Sequence, residues 1–211
     1  ERLAARGVQS RYHNDLRVTD LDTLGCVIDA VGSLRIAIEA RLCTQQSGSR
    51  LRVVGGNLVT AKPIGVVDGV DFHHTGEVRR IDRKAITRHL DEDDIVLLSS
   101  LGYSPTGEAF NLAAEDVATS VAVALGADKL ILFGEDTGIR DERGELLREL
   151  KPTRAAPLLA KLGTSQAGCL LQAACKACNA GLRRSHIVSF AEDGALLTEL
   201  FTRDGGGTLV S

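Results

Sequence analysis

The chain has 211 residues, with 25 Lys or Arg and 28 Asp or Glu, which gives a formal net charge of −3. This length suits one substantial domain with a sizeable core, and the near-neutral charge argues against a general nucleic-acid-binding surface. The composition, 44% hydrophobic and 25% charged, is that of a globular chain and excludes a disordered one. Since the chain shows neither an apolar run of roughly 20 residues nor a secretion signal, we expect no membrane segment and no export.

The sequence contains no methionine, and its first residue is Glu1. We therefore expect the chain to be part of a longer protein. It has five cysteines at irregular spacings, Cys26, Cys43, Cys169, Cys175 and Cys178. Without a secretion signal, we expect free thiols in a reducing compartment. For the CxxC at 175–178 we favour buried structural thiols over a metal site, because no second CxxC or CxxH follows at zinc spacing.

The first half of the chain begins with the predicted end of a helix at residues 1–5. A long helix follows at 19–41, where apolar residues recur at helical spacing. Residues 51–81 divide into short strand-like pieces separated by Gly and Pro, which indicates a β-ribbon. A helix at 83–90 then precedes a continuous apolar strand at 95–98, of the kind that is buried on both faces.

The second half alternates between helices and buried strands. The pattern predicts helices at 112–125, 169–180 and 194–202, and strands at 129–133, 186–190 and 208–210. Strands separated by helices of this length are typical of parallel βαβ units. The sequence therefore predicts an α/β fold with a mostly parallel open sheet, helices on both faces and a β-ribbon insertion near 51–81.

A glycine-rich stretch at residues 102–107 (GYSPTG) has the glycine spacing of a phosphate-binding P-loop. Lys and then Ser or Thr should follow, because the ammonium meets phosphate and the hydroxyl meets magnesium. The residues that follow are Glu108 and Ala109, and a carboxylate would repel phosphate. The P-loop interpretation fails, and a ligand loop and a plain connection remain equal alternatives.

Histidines and acidic residues raise the question of a metal site. His73 and His74 with Glu77 resemble a ligand set, but adjacent side chains of an extended segment point to opposite sides. A solvated polar turn is the favoured interpretation. We likewise interpret His89 and the acidic run at 91–94 (DEDD) as solvated groups without a special role.

The end of the chain joins a predicted helix to three glycines at residues 205–207. Glycines allow positive φ and a close approach of a ligand to the backbone. Glu199 lies near the C-terminal end of that helix, where the helix dipole disfavours a negative charge, so we expect a cationic group nearby. A ligand site and a simple glycine C-cap both remain open on this evidence.

Several segments together resemble the amino-acid kinase family, namely residues 16–20 (LRVTD), 107–111 (GEAFN) and 191–208 (AEDGALLTELFTRDGGGT). Two more specific segments, 69–82 (GVDFHHTGEVRRID) and 186–194 (HIVSFAEDG), are similar to the kinase-like domain of bacterial N-acetylglutamate synthases. The resemblance covers essentially the whole chain. It is the order and number of the segments that make it specific.

The resemblance implies that this kinase-like domain binds arginine, the end product of the pathway, and transmits inhibition. The matching residues are His186, Glu199 and Gly205. A carboxylate that faces a guanidinium group, beside a backbone carbonyl at a glycine turn, suits arginine recognition. We therefore expect the regulatory site at the end of the chain.

The resemblance also implies a vestigial amino-acid pocket at Arg17, Asn111 and Glu115. In the related N-acetylglutamate kinases the arginine that matches Arg17 holds a carboxylate, a role that suits a bidentate guanidinium. Asn111 matches a residue of the same pocket, and Glu115 replaces an aspartate. Whether this pocket binds anything is an open question.

Two departures from the kinases argue against phosphoryl transfer, which needs cations at the phosphates. The lysine of the kinases falls at about Leu170 in this chain, and leucine cannot neutralise a phosphate. Their Thr-Asp pair after a buried strand is replaced by Gly134 and Glu135. The alternative function, an N-acetylglutamate kinase, is therefore disfavoured.

By resemblance, the parent protein transfers acetyl from acetyl-CoA to L-glutamate, the first step of arginine biosynthesis, in a separate C-terminal acetyltransferase domain. Such a domain binds the CoA pyrophosphate with an R/Q-x-x-G-x-G/A motif at a helix start. The nearest match, residues 203–208 (RDGGGT), ends in Thr. We therefore expect residues 1–211 to form one kinase-like domain that is incomplete at its N-terminus, with the acetyltransferase domain outside this chain.

The resemblance sets the remaining expectations for partners. The chain should carry no catalytic residue, cofactor or metal, and its effector should be L-arginine. The parent enzyme should be a cytoplasmic homo-oligomer that uses L-glutamate and acetyl-CoA and has no nucleic-acid or membrane partner. A non-catalytic scaffold whose pockets bind nothing is the remaining alternative.

Overall fold

A computed structural model of the chain describes residues 7, 9–14, 16–43, 51–202 and 205–211. The predicted helix end at residues 1–5 lies outside the described residues. The chain divides into two compact units, Glu1–Val117 and Ala118–Ser211.

The first unit contains two helices and the beginning of a third in its described part, α1 (Leu21–Leu42), α2 (Arg83–Asp91) and α3 (Ala114–Leu125). Its described strands are β1 (Arg11–His13), β2 (Leu16–Val18), β3 (Val53–Val54), β4 (Val59–Pro63), β5 (Val66–Val67), β6 (Val70–Asp71), β7 (Gly76–Ile81), β8 (Ile95–Val96), β9 (Leu101–Tyr103) and β10 (Ala109–Asn111). All three helices lie within one to two residues of their predicted positions.

Helix α1 begins at Leu21, two residues later than the sequence predicts. Asp20 is its N-cap, and a carboxylate oxygen of Asp20 accepts a hydrogen bond from the Thr23 amide at 2.9 Å. The predicted first residue, Thr19, is buried, and its amide donates to the hydroxyl of Thr75 at 3.0 Å. Thr19 therefore belongs to the end of the strand segment, and Asp20 satisfies the free amide of the first helical turn.

The predicted β-ribbon is confirmed at the centre of the first unit. Strands β4 and β7 pair antiparallel with an irregularity between Thr60 and Ala61, and β5 and β6 form a two-stranded hairpin between them. The four-stranded sheet has the order β10-β9-β4-β7, and β4 pairs with β9 in parallel. Strand β3 pairs separately with β8, also in parallel.

The acidic run at 91–94 is not wholly solvated, because its last residue is buried. The Asp94 side chain is 1% exposed, forms an ion pair with Arg52, and lies 3.0 Å from Nδ1 of His89. The Arg52 guanidinium beside Asp94 holds the pKa of that carboxyl below its ordinary value. The Ile95 amide also donates to the Arg52 carbonyl at 2.9 Å, so the ion pair reinforces the pairing of β3 with β8.

The second unit places one sheet beside a buried helix. Its described strands are β11 (Leu130–Gly134), β12 (Glu149–Leu150), β13 (Ser185–Ser189) and β14 (Thr208–Val210), in the order β11-β13-β14-β12. A 3-10 turn (Pro152–Arg154) is followed by helices α4 (Ala156–Leu162), α5 (Gln166–Asn179) and α6 (Ala195–Phe201). Strand β13 is parallel to β11 and antiparallel to β14, and β14 is parallel to β12.

The core of the second unit forms around β13 and α5. All five residues of β13 are buried, and α5 packs on β13 and β11 through a face that includes Leu170, Leu171 and Ala174. Complete burial of one such leucine contributes about 1.5–3 kcal/mol relative to exposure. Strand β13 is thus a rigid support for the polar side chain that it carries, His186.

The described elements confirm the predicted α/β class. Parallel pairs occur in three of the five sheets formed by the described residues, and antiparallel pairs occur beside them. Among the described helices, none combines the length and the apolar character that a membrane crossing requires.

Candidate functional site

Three parts of the second unit meet at the candidate site. His186 is the second residue of β13, between Ile131 of β11 and Leu209 of β14. Gly194, with a left-handed φ of 79°, precedes α6, and α6 packs back onto β13. This turn brings Glu199, on the last turn of α6, to His186. The glycine run at 205–207 then leads into β14.

Glu199 is held from two sides. Its Oε1 lies 2.7 Å from Nδ1 of His186, and its Oε2 accepts hydrogen bonds from the amides of Gly206 and Gly207, each at 2.8 Å. An ionised carboxylate only accepts, so Nδ1 of His186 is the donor. The sequence predicts a cationic group at this helix end, and the partners in the structure are an imidazole and two backbone amides.

The pair is buried and leaves one polar atom without a partner. The side chains of Glu199 and His186 are 5% and 8% exposed, and within the described part of the chain no group forms a hydrogen bond with the buried Nε2 of His186. The Glu199 carboxylate is a pure acceptor when ionised, which suits a ligand rich in N–H donors.

The environment of Glu199 keeps its negative charge. Burial by itself raises the pKa of Glu199, but the hydrogen bonds from His186 and from the Gly207 and Gly206 amides outweigh it. The result is a pKa below the ordinary glutamate value. Glu199 is therefore a buried anion at neutral pH.

Replacing Glu199 by glutamine should lower the free energy of unfolding near pH 7 and reduce its acid dependence. A carboxylate whose pKa is lowered by folding stabilises the fold above its unfolded-state pKa, and this contribution is lost as the pH falls through the folded-state pKa. We expect the wild type to be more stable by about 1.5–3 kcal/mol near pH 7, the usual worth of hydrogen bonds to a charged group.

Urea unfolding of both proteins at decreasing pH measures this difference. The difference in the free energy of unfolding between the two proteins should shrink as the pH falls below 4.5, the ordinary pKa of a glutamate side chain. A matched control is Glu142→Gln, which removes an exposed carboxylate of the same unit. If the difference in the free energy of unfolding persists unchanged in acid, packing and not the charge of Glu199 stabilises the site.

Gly205 cannot be replaced by a larger residue without disturbing Glu199. Its φ is +64°, in the left-handed region that favours glycine. A Cβ at this position would lie 2.5 Å from Oε2 and 3.2 Å from Cδ of Glu199. Glycine is therefore required at position 205 by the backbone conformation and by the close packing on the Glu199 carboxylate.

His186, Glu199 and Gly205 line a cavity of about 420 Å³. We call it the C-terminal cavity, and its other lining residues are Lys129, Arg148, Glu149, Arg184, Leu200, Thr202 and Leu209. Its volume is within the usual range for small-molecule sites. The structure thus brings together all three residues predicted for the regulatory site, in one cavity large enough for a free amino acid.

Arg148 is a residue of this cavity that sequence reasoning missed. It precedes β12, and its guanidinium donates a hydrogen bond to the Gly205 carbonyl at 2.9 Å. The two residues are separated by 57 positions. Only the pairing of β12 with β14 brings them together, and two-residue strands such as β12 leave almost no pattern in a sequence.

The predicted vestigial pocket is only partly assembled. The Arg17 guanidinium donates to the hydroxyls of Ser10 and Tyr12, each at 2.7 Å. The Asn111 amide donates to the Thr19 hydroxyl at 3.2 Å. Glu115 is half-buried on α3, and no hydrogen bond joins it to Arg17 or Asn111, all three of which are described. The role of this trio as an amino-acid pocket stays a prediction.

The positions that replace phosphate-binding groups of the kinases lie together. Leu170 on α5 is 5% exposed within the core of the second unit. A Cβ on Gly134, at the end of β11, would lie 2.8 Å from the Leu170 side chain. The next amide, that of Glu135, donates to the Gln166 side chain at 2.9 Å. Apolar packing thus occupies the positions that the resemblance matches to phosphate-binding groups.

The glycine-rich stretch at 102–107 is a hairpin connection. Strands β9 and β10 pair antiparallel across it, with the Ser104 amide donating to the Glu108 carbonyl at 2.8 Å and the Gly107 amide to the Ser104 carbonyl at 3.0 Å. Gly107 has a φ of +91°. The stretch therefore connects two paired strands, and a role as a ligand loop stays an open alternative.

His73 and His74 lie in a turn with different partners. The His73 amide donates to the Asp71 carboxylate at 2.9 Å, while the His74 ring contacts the ring of Phe110. Among the described residues, no group of three or more His, Cys, Asp or Glu side chains is arranged to hold a metal ion.

Comparison with known sequences supports these observations. The model of the amino acid kinase family matches residues 1–189. The amino-acid acetyltransferase of Pseudomonas fluorescens (strain Pf0-1) is 66% identical over 215 residues, covering all of this chain and 50% of that protein. The enzyme of the same name from Azotobacter vinelandii (strain DJ) matches to the same extent. The chain spans about half the length of the curated relatives it matches.

Solved structures agree with the sequence comparison. An N-acetylglutamate synthase from Neisseria gonorrhoeae, complexed with coenzyme A and L-arginine, is 38% identical with a TM-score of 0.91 and covers 99% of this chain and 50% of that chain. The carbamate kinase of Giardia, at 17% identity and a TM-score of 0.60, covers 88% of this chain and 71% of that chain and shares the fold alone. Since the family model matches most of its residues, the chain belongs to the amino acid kinase family.

Proposed function

We propose that this chain is the arginine-sensing, kinase-like regulatory domain of an N-acetylglutamate synthase. The intact enzyme would transfer acetyl from acetyl-CoA to L-glutamate, the first step of arginine biosynthesis. The observation that carries the proposal is the buried anion Glu199, held by His186 beside the Gly205 carbonyl in the C-terminal cavity. The N-acetylglutamate synthase solved with coenzyme A and L-arginine, which has the same fold over nearly the whole chain, supports it.

The cavity has the chemistry that a guanidinium group requires. A guanidinium has five N–H donors in a plane, no acceptor, and a permanent positive charge. The residues that line the cavity include a carboxylate at Glu199 and a glycine at 205 whose carbonyl is an acceptor. Buried ion pairs are favourable when hydrogen bonds satisfy the remaining polar atoms, and this set allows that for a guanidinium.

The proposal places acetyl transfer outside these residues. In this account residues 1–211 form a kinase-like domain that lacks part of its N-terminal region, and an acetyltransferase domain lies elsewhere in the protein. This chain contributes no catalytic residue and no cofactor, and acetyl-CoA is a co-substrate of the intact enzyme. The enzyme would act as a cytoplasmic homo-oligomer without a nucleic-acid or membrane partner.

The kinase alternative has no support from the site chemistry. Leu170 and Gly134 pack together where phosphoryl transfer would need a charged side chain. Robust release of ADP by the full-length protein from ATP and N-acetylglutamate would contradict the proposal. The scaffold alternative predicts that arginine binds nowhere on the protein.

Calorimetry of the full-length protein with arginine tests the proposal. We expect the wild type to bind arginine and Glu199→Gln to bind at least about 30-fold more weakly, because truncating one partner of a buried charge pair costs about 2–5 kcal/mol. Citrulline, whose side chain is neutral, should not compete.

The matched control is Glu142→Gln, whose carboxylate is exposed and does not line the C-terminal cavity. It should bind arginine within about twofold of the wild type, which is within the range of exposed surface charges. Equal arginine affinity in Glu199→Gln and in the wild type would exclude the cavity as the effector site.

A further inference from the structure

Arg148 is held in a fixed place beside the glycine run. Its carbonyl accepts a hydrogen bond from the Leu209 amide at 2.9 Å, and the residues after it pair with β14 in parallel. Because β14 directly follows the glycine run, this pairing sets the Arg148 backbone next to the run. From there the Arg148 guanidinium donates to the Gly205 carbonyl at 2.9 Å.

The Gly205 carbonyl is also an acceptor that a guanidinium ligand would need. The two carboxylate oxygens of Glu199 have about four lone-pair positions, and His186, Gly206 and Gly207 already use three of them. One of these positions therefore remains for a ligand, so a guanidinium with five N–H donors also needs other acceptors. This makes the Gly205 carbonyl a major part of the acceptor surface of the C-terminal cavity.

The charged residues that line the cavity also make the Gly205 carbonyl important for a cationic ligand. Lys129, Arg148 and Arg184 line it together with two carboxylates, the buried Glu199 and the exposed Glu149. Like charges in a partly enclosed cavity repel one another, so a cationic ligand is most strongly opposed by the cation that lies on its acceptor. Among these three, Arg148 is the one that donates to the Gly205 carbonyl.

We infer that Arg148 is a built-in competitor for the effector site: its guanidinium occupies one lone pair of the Gly205 carbonyl and, by charge repulsion, opposes the guanidinium of a bound amino acid at the same oxygen. The inference rests on the proposed function, because it assumes that the effector carries a guanidinium. The apparent dissociation constant is the intrinsic constant divided by the fraction of protein in which the carbonyl is accessible. Arg148 thus raises the arginine concentration at which the site fills.

Removing Arg148 should therefore tighten arginine binding. Calorimetry of the full-length protein should show an affinity for arginine about tenfold higher in Arg148→Ala than in the wild type, equivalent to about 1.4 kcal/mol. The charge-matched control is Arg184→Ala, which removes a cation from the same cavity but leaves the contact of Arg148 with Gly205 intact. Its affinity should rise by no more than about threefold, because only general repulsion is removed.

Free guanidinium ion provides a second readout. In Arg148→Ala, millimolar guanidinium should compete with arginine and bring the apparent affinity back toward that of the wild type, since it replaces the lost group. The same concentration should have little effect on Arg184→Ala. A rescue of this kind separates occupancy of the carbonyl from a change in loop structure.

The outcomes distinguish the inference from the proposed function. If the wild type binds arginine and Arg148→Ala binds no more tightly than Arg184→Ala, the inference is overturned and the proposed function stands. If arginine binds to Arg148→Ala alone, the inference is supported in its strongest form. If arginine binds to none of the three proteins, both fail.

Discussion

Replacing Gly205 by alanine should abolish arginine binding at the C-terminal cavity and destabilise the second unit. The left-handed φ of +64° costs a residue with a side chain about 1–3 kcal/mol. The new methyl group would also overlap Oε2 of Glu199, which lies 2.5 Å from the Cβ position. Glu199 cannot turn aside freely, because His186 and the Gly206 and Gly207 amides hold it.

The backbone strain and the overlap with the new methyl group both disturb the Glu199 carboxylate. A displaced Glu199 carboxylate loses its backbone hydrogen bonds while it stays buried, and a buried charge without partners is strongly unfavourable. We therefore expect the affinity for arginine in calorimetry to fall by at least about 100-fold. Thermal unfolding should show a lower midpoint in the absence of arginine.

Gly206→Ala is the matched control for this experiment. A Cβ on Gly206 would meet the Thr198 side chain at 3.4 Å, an ordinary contact, and the amide that donates to Glu199 is retained. It should cost far less affinity and stability than Gly205→Ala. Equal losses in the two variants would mean that any side chain in the glycine run disturbs the cavity, and the specific contact of Gly205 with Glu199 would then not explain the requirement for glycine.

The elements that carry the site could be predicted from local patterns. The strand predicted at 186–190 is β13, and the helix predicted at 194–202 is α6, each within about one residue. Continuous apolar runs and helical spacing are local signals, so they appear without knowledge of the tertiary fold. The position of Glu199 at a helix C-terminus predicts a cationic neighbour, whereas its partners in the structure are the imidazole of His186 and two backbone amides.

Contacts between distant residues could not be predicted in the same way. Arg148 reaches Gly205 across 57 positions, and Arg52 reaches Asp94 across 42. Both contacts depend on pairings of two-residue strands, which are too short for a periodic signal. For this reason the sequence alone predicts a solvated acidic run at 91–94 and gives no signal for the cationic side of the C-terminal cavity.

The glycine stretch at 102–107 shows a different limit. A ligand loop and a β-hairpin turn both favour glycine, because both use backbone conformations that a side chain restricts. The choice depends on whether β10 folds back onto β9, which is a tertiary pairing. By contrast, Leu170 was already informative in the sequence, since an apolar side chain cannot serve phosphate chemistry in any arrangement.

The response of acetyl transfer to arginine should be lost when Glu199 is replaced by alanine. In the proposed account the effector site lies in this chain and the chemistry lies elsewhere, so arginine acts through a coupling free energy between two sites. Removing a buried, hydrogen-bonded carboxylate should cost about 2–5 kcal/mol of arginine binding. The arginine concentration for a half-maximal response should then rise by at least about 30-fold.

The most direct measurement is the initial rate of acetyl transfer from acetyl-CoA to L-glutamate by the full-length protein over a range of arginine concentrations. Each rate is divided by the rate of the same variant without arginine, so that differences in basal activity do not enter. The account predicts that the wild type and Glu142→Gln respond over the same concentration range, while Glu199→Ala shows no response there. A Glu199→Ala protein that responds to arginine as the wild type does would contradict it.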